Sequence, residues 1–462
     1  MTRIHLIGIG GTGISAIARL LLEMGYSVSG SDRAESQYTR DLQSAGVTIN
    51  IGHRPENVAG ADLVVRSSAI LDDNPEVTAA LAAHILVLKR SDFLGSLMDG
   101  KTGIAVAGTH GKTTTTSMIA WMLSALNQEP SFIVGGMLTN LGVNARAGEG
   151  NTFVVEADEY DRMFLGLRPS IEVVTNIEYD HPDCYPTPAD FQAAFVDFLY
   201  HLQAGGTLVA CADDIGAFEL IIKANKLDKK VVAYGLRPEM EDGNKLDVFT
   251  STFTPNVKGG FTFSASVLGE PVTVELQVPG KHNVSNALAA LTVAKLLNLP
   301  LAAAATALGQ FTGTGRRFEV RGEVNGITVV DDYAHHPTEI RATLSAARAR
   351  YPSRRLWAVW QPHTYSRTQA LFTEFTAAFS DADEVIVTEV FMSREPKQNF
   401  SSKQVVDAMP RQAHFIAGLS DVSNYLVSNL HPGDVLLVLS AGDANEISTQ
   451  VLNQLKEANN ER

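Results

Sequence analysis

The run from Gly108 to Thr114 combines glycines, a lysine and hydroxyl side chains, the residue types that hold a nucleotide phosphate. An apolar stretch precedes it and an apolar helical pattern follows, so we predict a glycine loop between a buried strand and a helix. Backbone N–H groups of such a loop attract phosphate. Lys112 can reach the outer phosphates of a nucleotide, and the Thr113 hydroxyl can hold Mg²⁺. The candidate nucleotide-binding residues of this loop are Gly108, Thr109, His110, Gly111, Lys112, Thr113 and Thr114.

The spacing of this loop matches the G-x-x-x-x-G-K-[ST] pattern only in part, because Val106 occupies the position of the first glycine. A chance Gly-Lys-Thr turn is therefore the alternative interpretation. The apolar strand before the loop and the helical pattern after it favour a site for a nucleoside triphosphate.

Two further strand patterns end in residues that can bind a metal ion. One runs into Glu156, and the next runs into a polar segment that ends at His181. We expect these strands to be adjacent and to lie beside the phosphate loop. Mg²⁺ needs only one or two carboxylates besides substrate phosphates, so Glu156 with Thr113 suits one ion, and His181 suits a second. The alternative for His181 is a ring that is fixed only by the turn at Pro182.

A second glycine loop, with the pattern G-x-G-x-x-G, spans Gly8 to Gly13. A strand precedes it, an apolar helix follows, and a second strand ends at Asp32, which is the context of a dinucleotide-binding unit. Ser67 and Ser68 follow a later strand, where ligands bind in open parallel sheets, although ordinary turn chemistry also accounts for them. The candidate ligand-binding residues of this region are Gly10, Gly11, Thr12, Gly13, Asp32, Ser67 and Ser68.

A pair of amides and a pair of arginines occur later in the chain. Asn283 and Asn286 lie at the start of a long Ala/Leu helix, where capping is the default interpretation of Asn283, although amides at this spacing can also read an adenine edge. Arg316 and Arg317 follow a flexible glycine linker at residues 312–315. An arginine at a hinge can swing onto a phosphate and complete a site on domain closure. Two solvated surface arginines are the alternative.

Two strand ends in the last third of the chain carry dense polar clusters. Residues 331–337 read Asp-Asp-Tyr-Ala-His-His-Pro, and residues 361–367 read Gln-Pro-His-Thr-Tyr-Ser-Arg. If the third sheet is parallel, both segments lie at the same edge and face one crevice.

The order of these patterns predicts a three-domain α/β protein within the chain of 462 residues. We expect a Rossmann-like N-terminal domain at residues 1–99 and a C-terminal Rossmann-like α/β domain at 315–462. The central domain, residues 100–314, should be a P-loop ATPase-like parallel sheet. Short alternating strands between residues 248 and 278 predict a small antiparallel patch on that sheet.

The composition excludes several classes of function. A formal net charge of −14 argues against general nucleic-acid binding, although it leaves room for local phosphate sites. The two cysteines form no disulfide framework and fit a reducing cytoplasm. We find no signal peptide and no apolar run long enough to span a membrane, so no membrane partner is expected.

Seven motifs, in this order along the whole chain, resemble those of the Mur ligase family, whose members add amino acids to the peptidoglycan precursor. Each motif is weak by itself, whereas seven in register are specific. The resemblance rests on Gly8–Ser15, Gly108–Thr113, Glu156–Glu159, Asn176–His181, His282–Asn286, Gly315–Phe318 and Asp331–Pro337.

The resemblance implies a role for each domain. The first glycine loop would bind the diphosphate of a UDP-sugar rather than NAD. The central domain would bind Mg·ATP, with Lys112 on the phosphates, Glu156 and His181 at magnesium, and Asn283 and Asn286 near the adenosine. By the same resemblance, Arg317 and Asp332 contact the nucleotide from the third domain, and Tyr333, His335, His363 and Arg367 lie on the amino-acid and muramoyl side. The implied catalytic residues are Lys112, Glu156, His181, Arg317 and His335.

The implied reaction is ATP-dependent ligation of L-alanine to the lactyl carboxylate of UDP-N-acetylmuramate through an acyl phosphate. The small-molecule substrates, ATP and Mg²⁺ would be its only partners, and we expect a cytoplasmic monomer or weak homodimer. Later members of the pathway carry a carbamylated, magnesium-binding lysine about one helix after the His181 position. Residues 191–203 contain no lysine, so no carbamate bridge is expected, and the ligands of a second metal ion stay open.

Other functions account for only part of the sequence. A nicotinamide dehydrogenase would use the first glycine loop and Asp32 and leave the P-loop without a role. A P-loop motor that only hydrolyses ATP leaves residues 316–336 unexplained. Folylpolyglutamate synthetases lack the first-domain glycine loop, and murein-peptide recycling ligases differ in that loop.

Overall fold

The computed structural model describes residues 2–240 and 243–460, whose strands form three sheets. All strands of each sheet come from one of the three predicted regions, and the domain boundaries themselves remain predictions. The expected α/β class with mostly parallel sheets is confirmed. Among the described residues, no helix has both the length and the apolar character that a bilayer crossing requires.

The N-terminal sheet is parallel throughout and has the order β3-β2-β1-β4-β5, with the strand bounds given below. Strand β3 is missing from the sequence-based prediction because its short Thr-Ile-Asn-Ile pattern lies half exposed at the sheet edge. The strands are β1 (Arg3–Ile7), β2 (Ser27–Asp32), β3 (Thr48–Ile51), β4 (Leu63–Arg66) and β5 (Leu86–Lys89). The helices are α1 (Thr12–Glu23), α2 (Gln37–Ser44), α3 (Pro75–Ala82) and α4 (Arg90–Leu97), with a short 3₁₀ helix at Pro55–Val58.

The central sheet has eleven strands and carries the phosphate loop near its middle. Its first strands are β6 (Thr102–Ala107), β7 (Ser131–Leu138), β8 (Val143–Arg146), β9 (Thr152–Glu156), β10 (Ile171–Val174), β11 (Thr207–Cys211) and β12 (Lys230–Gly235). The strands that lead to Glu156 and His181 are β9 and β10, and the order β10-β6-β9 shows that they flank β6. The expectation that they are adjacent is therefore wrong, since parallel pairing inserts the P-loop strand between them.

The predicted antiparallel patch is confirmed at one end of the central sheet, where β15 pairs with β13, β14 and β16. Its strands are β13 (Val248–Phe249), β14 (Phe253–Pro255), β15 (Phe261–Val267) and β16 (Glu270–Glu275). The helices of this region are α5 (Lys112–Ala125), α6 (Pro188–Leu199), α7 (Ile215–Lys226), α8 (Lys281–Leu296) and α9 (Leu301–Gly309), with a 3₁₀ helix at Tyr160–Gly166. Helix α8 is buried on nearly every face, which its Ala-rich sequence allows.

The linker between the central and C-terminal regions is anchored to the β7–β8 hairpin. The carbonyl of Gly313 accepts hydrogen bonds from the N–H and the hydroxyl of Thr139, and the N–H of Gly315 donates to Met137. The glycines thus shape a hydrogen-bonded connection rather than the flexible pair expected from sequence. This anchoring fixes where the following arginines emerge.

The C-terminal sheet has the order β17-β18-β22-β19-β20-β21, in which β18, β22 and β19 are parallel as expected. Its strands are β17 (Glu319–Val324), β18 (Ile327–Asp332), β19 (Leu356–Gln361), β20 (Glu384–Val387), β21 (His414–Phe415) and β22 (Val435–Ser440). The helices are α10 (Pro337–Arg350), α11 (Tyr365–Ala370), α12 (Phe372–Thr376), α13 (Lys403–Ala408), α14 (Leu419–Asn429) and α15 (Asn445–Asn460).

Candidate active site

The phosphate loop is held in shape by the polypeptide that follows β10. The N–H of His110 donates to the Asn176 side chain over 2.8 Å, and the His110 carbonyl accepts from the Asn176 amide and from the Thr175 hydroxyl. Gly108 has a φ of +132°, and a Cβ atom there would lie 2.1 Å from the Thr175 hydroxyl oxygen. Only glycine fits this close approach, so the loop keeps the backbone geometry that a phosphate requires.

Lys112 forms a buried ion pair at the start of α5. Its Nζ lies 2.8 Å from a carboxylate oxygen of Glu159 and also donates to the Thr109 carbonyl over 3.1 Å. Glu159 is 1% exposed. Burial alone lowers the pKa of Lys112, but the charge and hydrogen bond of Glu159 together with the charges of Asp158 and Glu156 outweigh burial and raise that pKa above its ordinary value. Glu159 was not among the residues predicted to be functional, although it ends one of the seven motifs.

Glu156 and Thr113 lie together, as expected for a magnesium site. The Thr113 hydroxyl donates to one carboxylate oxygen of Glu156 over 2.9 Å, and the Gly135 N–H donates to the other over 2.7 Å. Burial raises the pKa of Glu156 despite the nearby Lys112 ammonium. A carboxylate and a hydroxyl oxygen at a phosphate loop are the ligand types that Mg²⁺ prefers.

His181 contacts Glu159, the ion-pair partner of Lys112. Its Nε2 is 3.5 Å from Glu159, and its ring centroid is 5.1 Å from that of Tyr160. Among the described residues, no ion pair joins His181 to Glu156. Its φ of +55° is rare for a residue with a side chain, while its carbonyl accepts the N–H groups of the following turn. The turn at Pro182 and the contact with Glu159 therefore coexist.

A cavity of about 560 Å³ opens beside the phosphate loop and is lined by residues of the central and C-terminal regions. Of the predicted nucleotide-binding residues, it is lined by His110, Gly111, Thr114, Asn283, Asn286, Arg317 and Asp332.

The two amides in this cavity are buried and hydrogen-bonded to each other. The capping interpretation of Asn283 is wrong, because Gly280 is the N-cap of α8 and the Asn283 amide donates back to the Pro279 carbonyl. The Asn286 side-chain amide donates to the side-chain oxygen Oδ1 of Asn283 over 3.1 Å.

Asp332 has no ion pair with Arg317 among the described residues, and its carboxylate instead accepts N–H groups of Phe318 and Ala334. Burial raises the pKa of Asp332 to about 6.

A second cavity of about 560 Å³ is lined by residues of all three regions. The first glycine loop contributes Thr12 and Gly13, and the C-terminal region contributes Tyr333. Arg317 lines both cavities and is only partly buried. The other lining residues that sequence predicted are Thr113 and Glu156.

The arginine pair is partly buried and makes specific contacts, unlike the two solvated surface arginines of the alternative interpretation. Arg316 donates to the Ser440 carbonyl, and both guanidinium groups lie 5.0 Å from the Tyr333 ring. Arg316 thereby anchors the segment to the C-terminal sheet, while Arg317 faces the two cavities.

The first glycine loop is closed by Asp32. One oxygen of this carboxylate accepts the Gly10 N–H over 2.8 Å, and the other accepts the Arg33 N–H over 2.7 Å. Each oxygen thus accepts a backbone N–H, and the carboxylate links the glycine turn to the end of β2. The Gly11 N–H donates to the Gly8 carbonyl within the same turn.

The guanidinium group of Arg90 lies against the first turn of α1, the helix that follows this loop. The Arg90 guanidinium lies where a Cβ atom on Gly13 would be, at 1.7 Å, so glycine lets Arg90 approach the helix start. Ser67 packs against Gly8, and Ser68 lines a third cavity of about 320 Å³ that Arg90 also lines.

An ion pair between the C-terminal and central regions lies at the predicted amino-acid-binding residues. Arg367 is 2% exposed and contacts both oxygens of Asp180, at 2.7 and 3.1 Å, and its Nη1 lies 3.0 Å from Nδ1 of His363. The rings of His335 and His363 are 5.8 Å apart. Burial lowers the pKa of His335 to about 4 and that of His363 to about 2, so both rings are neutral. Asp180 was not predicted from sequence.

Two further carboxylates that sequence reasoning missed join the regions. Glu339 of α10 lies 3.3 Å from His110, 3.7 Å from Arg317 and 3.2 Å from His335. Glu178 accepts from His110 over 3.0 Å and from the Thr338 hydroxyl over 2.8 Å. Glu178 lies within a quoted motif, whereas Glu339 follows the last one and carried no signal beyond its place in the first turn of a helix.

Comparisons with known proteins agree along the whole chain. Family models described as Mur ligase family catalytic domain, Mur ligase middle domain and Mur ligase glutamate ligase domain match residues 3–102, 106–294 and 316–442. A UDP-N-acetylmuramate--L-alanine ligase of Geobacter sp. (strain M21) is 43% identical over 464 residues, covering 99% of this chain and 98% of the relative.

Solved structures show the same similarity. The UDP-N-acetylmuramate-alanine ligase of Thermotoga maritima matches with a TM-score of 0.82 at 28% identity, covering 99% of this chain and 100% of that one. A murein peptide ligase from Psychrobacter arcticus matches with a TM-score of 0.70, also at 28% identity, covering 98% and 99%.

Proposed function

Since the chain belongs to the Mur ligase family, we propose that it joins L-alanine to the lactyl carboxylate of UDP-N-acetylmuramate at the expense of ATP. This places it in synthesis of the peptidoglycan precursor. The relative that is 43% identical carries that name, and the Thermotoga ligase is structurally closer than the murein peptide ligase, with TM-scores of 0.82 and 0.70.

The second cavity is the observation that carries this proposal. This cavity is lined by the first glycine loop, by the proposed magnesium ligands Glu156 and Thr113, and by Arg317. A UDP-sugar held at Gly13 can extend its acid group toward a phosphate that is bound at the P-loop. Neither a dehydrogenase nor a simple ATPase requires this three-region arrangement.

We assign the nucleotide to the first cavity, because the P-loop and the buried amides Asn283 and Asn286 line it. Mg²⁺ would bind at Glu156 and Thr113, whose oxygen ligands fit it, and His181 is the proposed ligand of a second ion. When bound, the ions would neutralise phosphate charge.

The proposed chemistry has two steps. The sugar carboxylate attacks the γ-phosphate of ATP, giving an acyl phosphate and ADP, and the amine of L-alanine then attacks the acyl carbon while phosphate leaves. Lys112 and Arg317 would offset the repulsion between carboxylate and phosphate in the first step. In the second step, the neutral ring of His335 can accept a hydrogen bond from the incoming amine at Nε2, because its Nδ1 donates to the Tyr333 carbonyl.

Contacts between the regions would keep water away from the acyl phosphate. Arg367 pairs with Asp180, and Arg394 contacts Asp183 over 2.6 Å, so the C-terminal region packs directly on the central one. Exclusion of water matters because an acyl phosphate hydrolyses.

Phosphate release with each amino acid in turn, with and without UDP-N-acetylmuramate, tests the proposal. We expect release only when ATP, the UDP-sugar and an amino acid are all present, with L-alanine the fastest. ATP hydrolysis that is independent of both other substrates would support a motor. Faster turnover with a murein tripeptide would support a recycling ligase, and tight NADH binding would support a dehydrogenase.

A further inference from the structure

A group of metal-ligand side chains lies apart from the proposed magnesium residues. One ligating atom from each of His110, Glu178 and His336 lies within 4.8 Å of the others. His110 belongs to the phosphate loop, Glu178 follows β10, and His336 is the N-cap of α10 in the C-terminal region. The group thus joins two regions of the chain.

Both imidazoles approach the same carboxylate oxygen. Oε2 of Glu178 lies 3.0 Å from Nε2 of His110 and 3.9 Å from Nδ1 of His336, and the two ring centroids are 4.6 Å apart. Nδ1 of His336 accepts one long hydrogen bond of 3.3 Å from the Thr338 N–H, and its buried Nε2 has no hydrogen-bond partner among the described residues. The His336 side chain is 2% exposed.

We propose that His110, Glu178 and His336 form a site for a transition-metal dication such as Zn²⁺, distinct from the Mg²⁺ residues, that ties the phosphate loop to the C-terminal domain. Two imidazoles and one carboxylate are a ligand set that Zn²⁺ accepts, with the fourth position left for water or a phosphate oxygen. Mg²⁺ prefers oxygen ligands, so a site in which two of the three protein ligands are imidazoles favours Zn²⁺ over Mg²⁺.

The first cavity gives the ion a path to the site, since His110 and Glu178 line it. An ion bound there would hold α10 on the phosphate loop and oppose the separation that product release needs. Micromolar Zn²⁺ should therefore inhibit the proposed ligation even when Mg²⁺ saturates its own site.

Zinc binding to the substrate-free protein tests the site, with excess Mg²⁺ present and a chromogenic chelator as competitor. The informative variant is His336→Asn, because an Asn oxygen can still accept the Thr338 N–H and cap α10 while the imidazole ligand is lost. His84→Asn is the matched control, since His84 is exposed and its φ of +56° suits asparagine.

We expect one tight Zn²⁺ per chain in the wild type and in His84→Asn, and an affinity at least about tenfold lower in His336→Asn. Glu178→Gln should weaken binding as well, which keeps the test valid if His336→Asn folds poorly. Unchanged affinity in both variants, or no tight Zn²⁺ in the wild type, would overturn the proposal.

Inhibition of the ligation by Zn²⁺ is a second test, which rests on the proposed function. His336→Asn should require at least about tenfold more Zn²⁺ for half inhibition than His84→Asn. If the two variants are inhibited equally by Zn²⁺, His336 does not hold an inhibitory ion between α10 and the phosphate loop. Because binding is measured without substrates and the ligase assay can run in Mg²⁺ alone, failure of this site and failure of the proposed function are separable.

Discussion

The two glycine turns of this chain share a backbone design and differ in the charges around them. Each follows a buried parallel strand and opens a helix, α1 in the first domain and α5 in the second. In the first turn, the Asp32 carboxylate accepts the Gly10 N–H. In the second, the acidic partner Glu159 faces the Lys112 ammonium instead of a backbone N–H.

This difference indicates how one backbone motif serves two ligands. The first turn is closed by an acidic side chain and has a cation, Arg90, beside it, which suits a diphosphate that is only held in place. The second turn holds the Lys112 ammonium in an ion pair and is surrounded by carboxylates from two regions, which suits phosphate that must be transferred. Under the proposed function, charge placement, more than the glycine spacing, separates binding from catalysis.

Replacing the lysine of the second turn should have the largest effect. In Lys112→Met we expect turnover to fall by about 10²–10³, because one electrostatic contact to the reacting phosphate is lost. ADP release at saturating substrates measures this. Turnover near that of the wild type would remove the P-loop lysine from the mechanism and leave the two turns equivalent.

A paired variant separates chemistry from stability in this experiment. Lys112→Met leaves Glu159 buried without its counter-ion, which typically destabilises a fold by about 3–5 kcal/mol. Adding Glu159→Gln should recover much of the thermal stability without recovering turnover. If the double variant regains activity, the loss in the single variant was one of folding.

Opening the first turn should produce a smaller and more selective effect. In Asp32→Ala the Gly10 and Arg33 N–H groups lose a charged acceptor, a contact worth about 1.5–3 kcal/mol. We expect the KM for UDP-N-acetylmuramate to rise by about tenfold or more while the KM for ATP stays constant.

Steady-state kinetics with each substrate varied in turn check this selectivity. Asp32→Asn is the matched control, since its oxygen can still accept the Gly10 N–H, and it should remain close to the wild type. A parallel rise in both KM values would mean that the first turn acts on the whole site rather than on one substrate.

Sequence predicts both turns well because they depend on local features. Strand, glycine and helix signals are contiguous along the chain, and the structure reproduces them at Gly8–Gly13 and Gly108–Thr113. Partners that come from distant segments leave no such signal. Glu339 contacts the P-loop histidine only because α10 packs beside it.

Sequence periodicity also fails to predict which side chains are buried in a sheet that is covered on both faces. In β10, the pattern Ile-Glu-Val suggests that Glu172 points to solvent, yet the central sheet is covered on both faces and this side chain is fully buried. Within the part of the chain that the structure describes, neither of its carboxylate oxygens has a hydrogen-bond partner, and burial raises its pKa to about 8. The same lack of tertiary information explains the wrong adjacency of the strands that lead to Glu156 and His181, since strand order is set by pairing and not by chain order.

The smallest expected effect concerns the charges that tie the second turn to its surroundings. Burial opposes ionisation of His110 and Glu178, but the hydrogen bonds and charges of Glu178 and Glu339 raise the pKa of His110 to about 9, and His110 lowers that of Glu178 to about 2. Protonated His110 therefore contributes its full stabilisation of the fold below pH 6.5, and this contribution is lost as the pH rises toward 9. Ionised Glu178 contributes its stabilisation above pH 4.5, and this contribution is lost as the pH falls toward 2.

Glu178→Gln keeps the hydrogen-bonding shape and removes the charge. Because the Glu178 side chain is 39% exposed, solvent screens the pair, and we expect a stability loss of only about 0.5–1 kcal/mol at pH 6. That loss should shrink toward pH 9, where His110 gives up its proton. Urea unfolding at both pH values measures it, with the exposed Glu149→Gln as control. If the difference from wild type is the same at pH 6 and pH 9, the second turn is not distinguished from the first by a titrating pair.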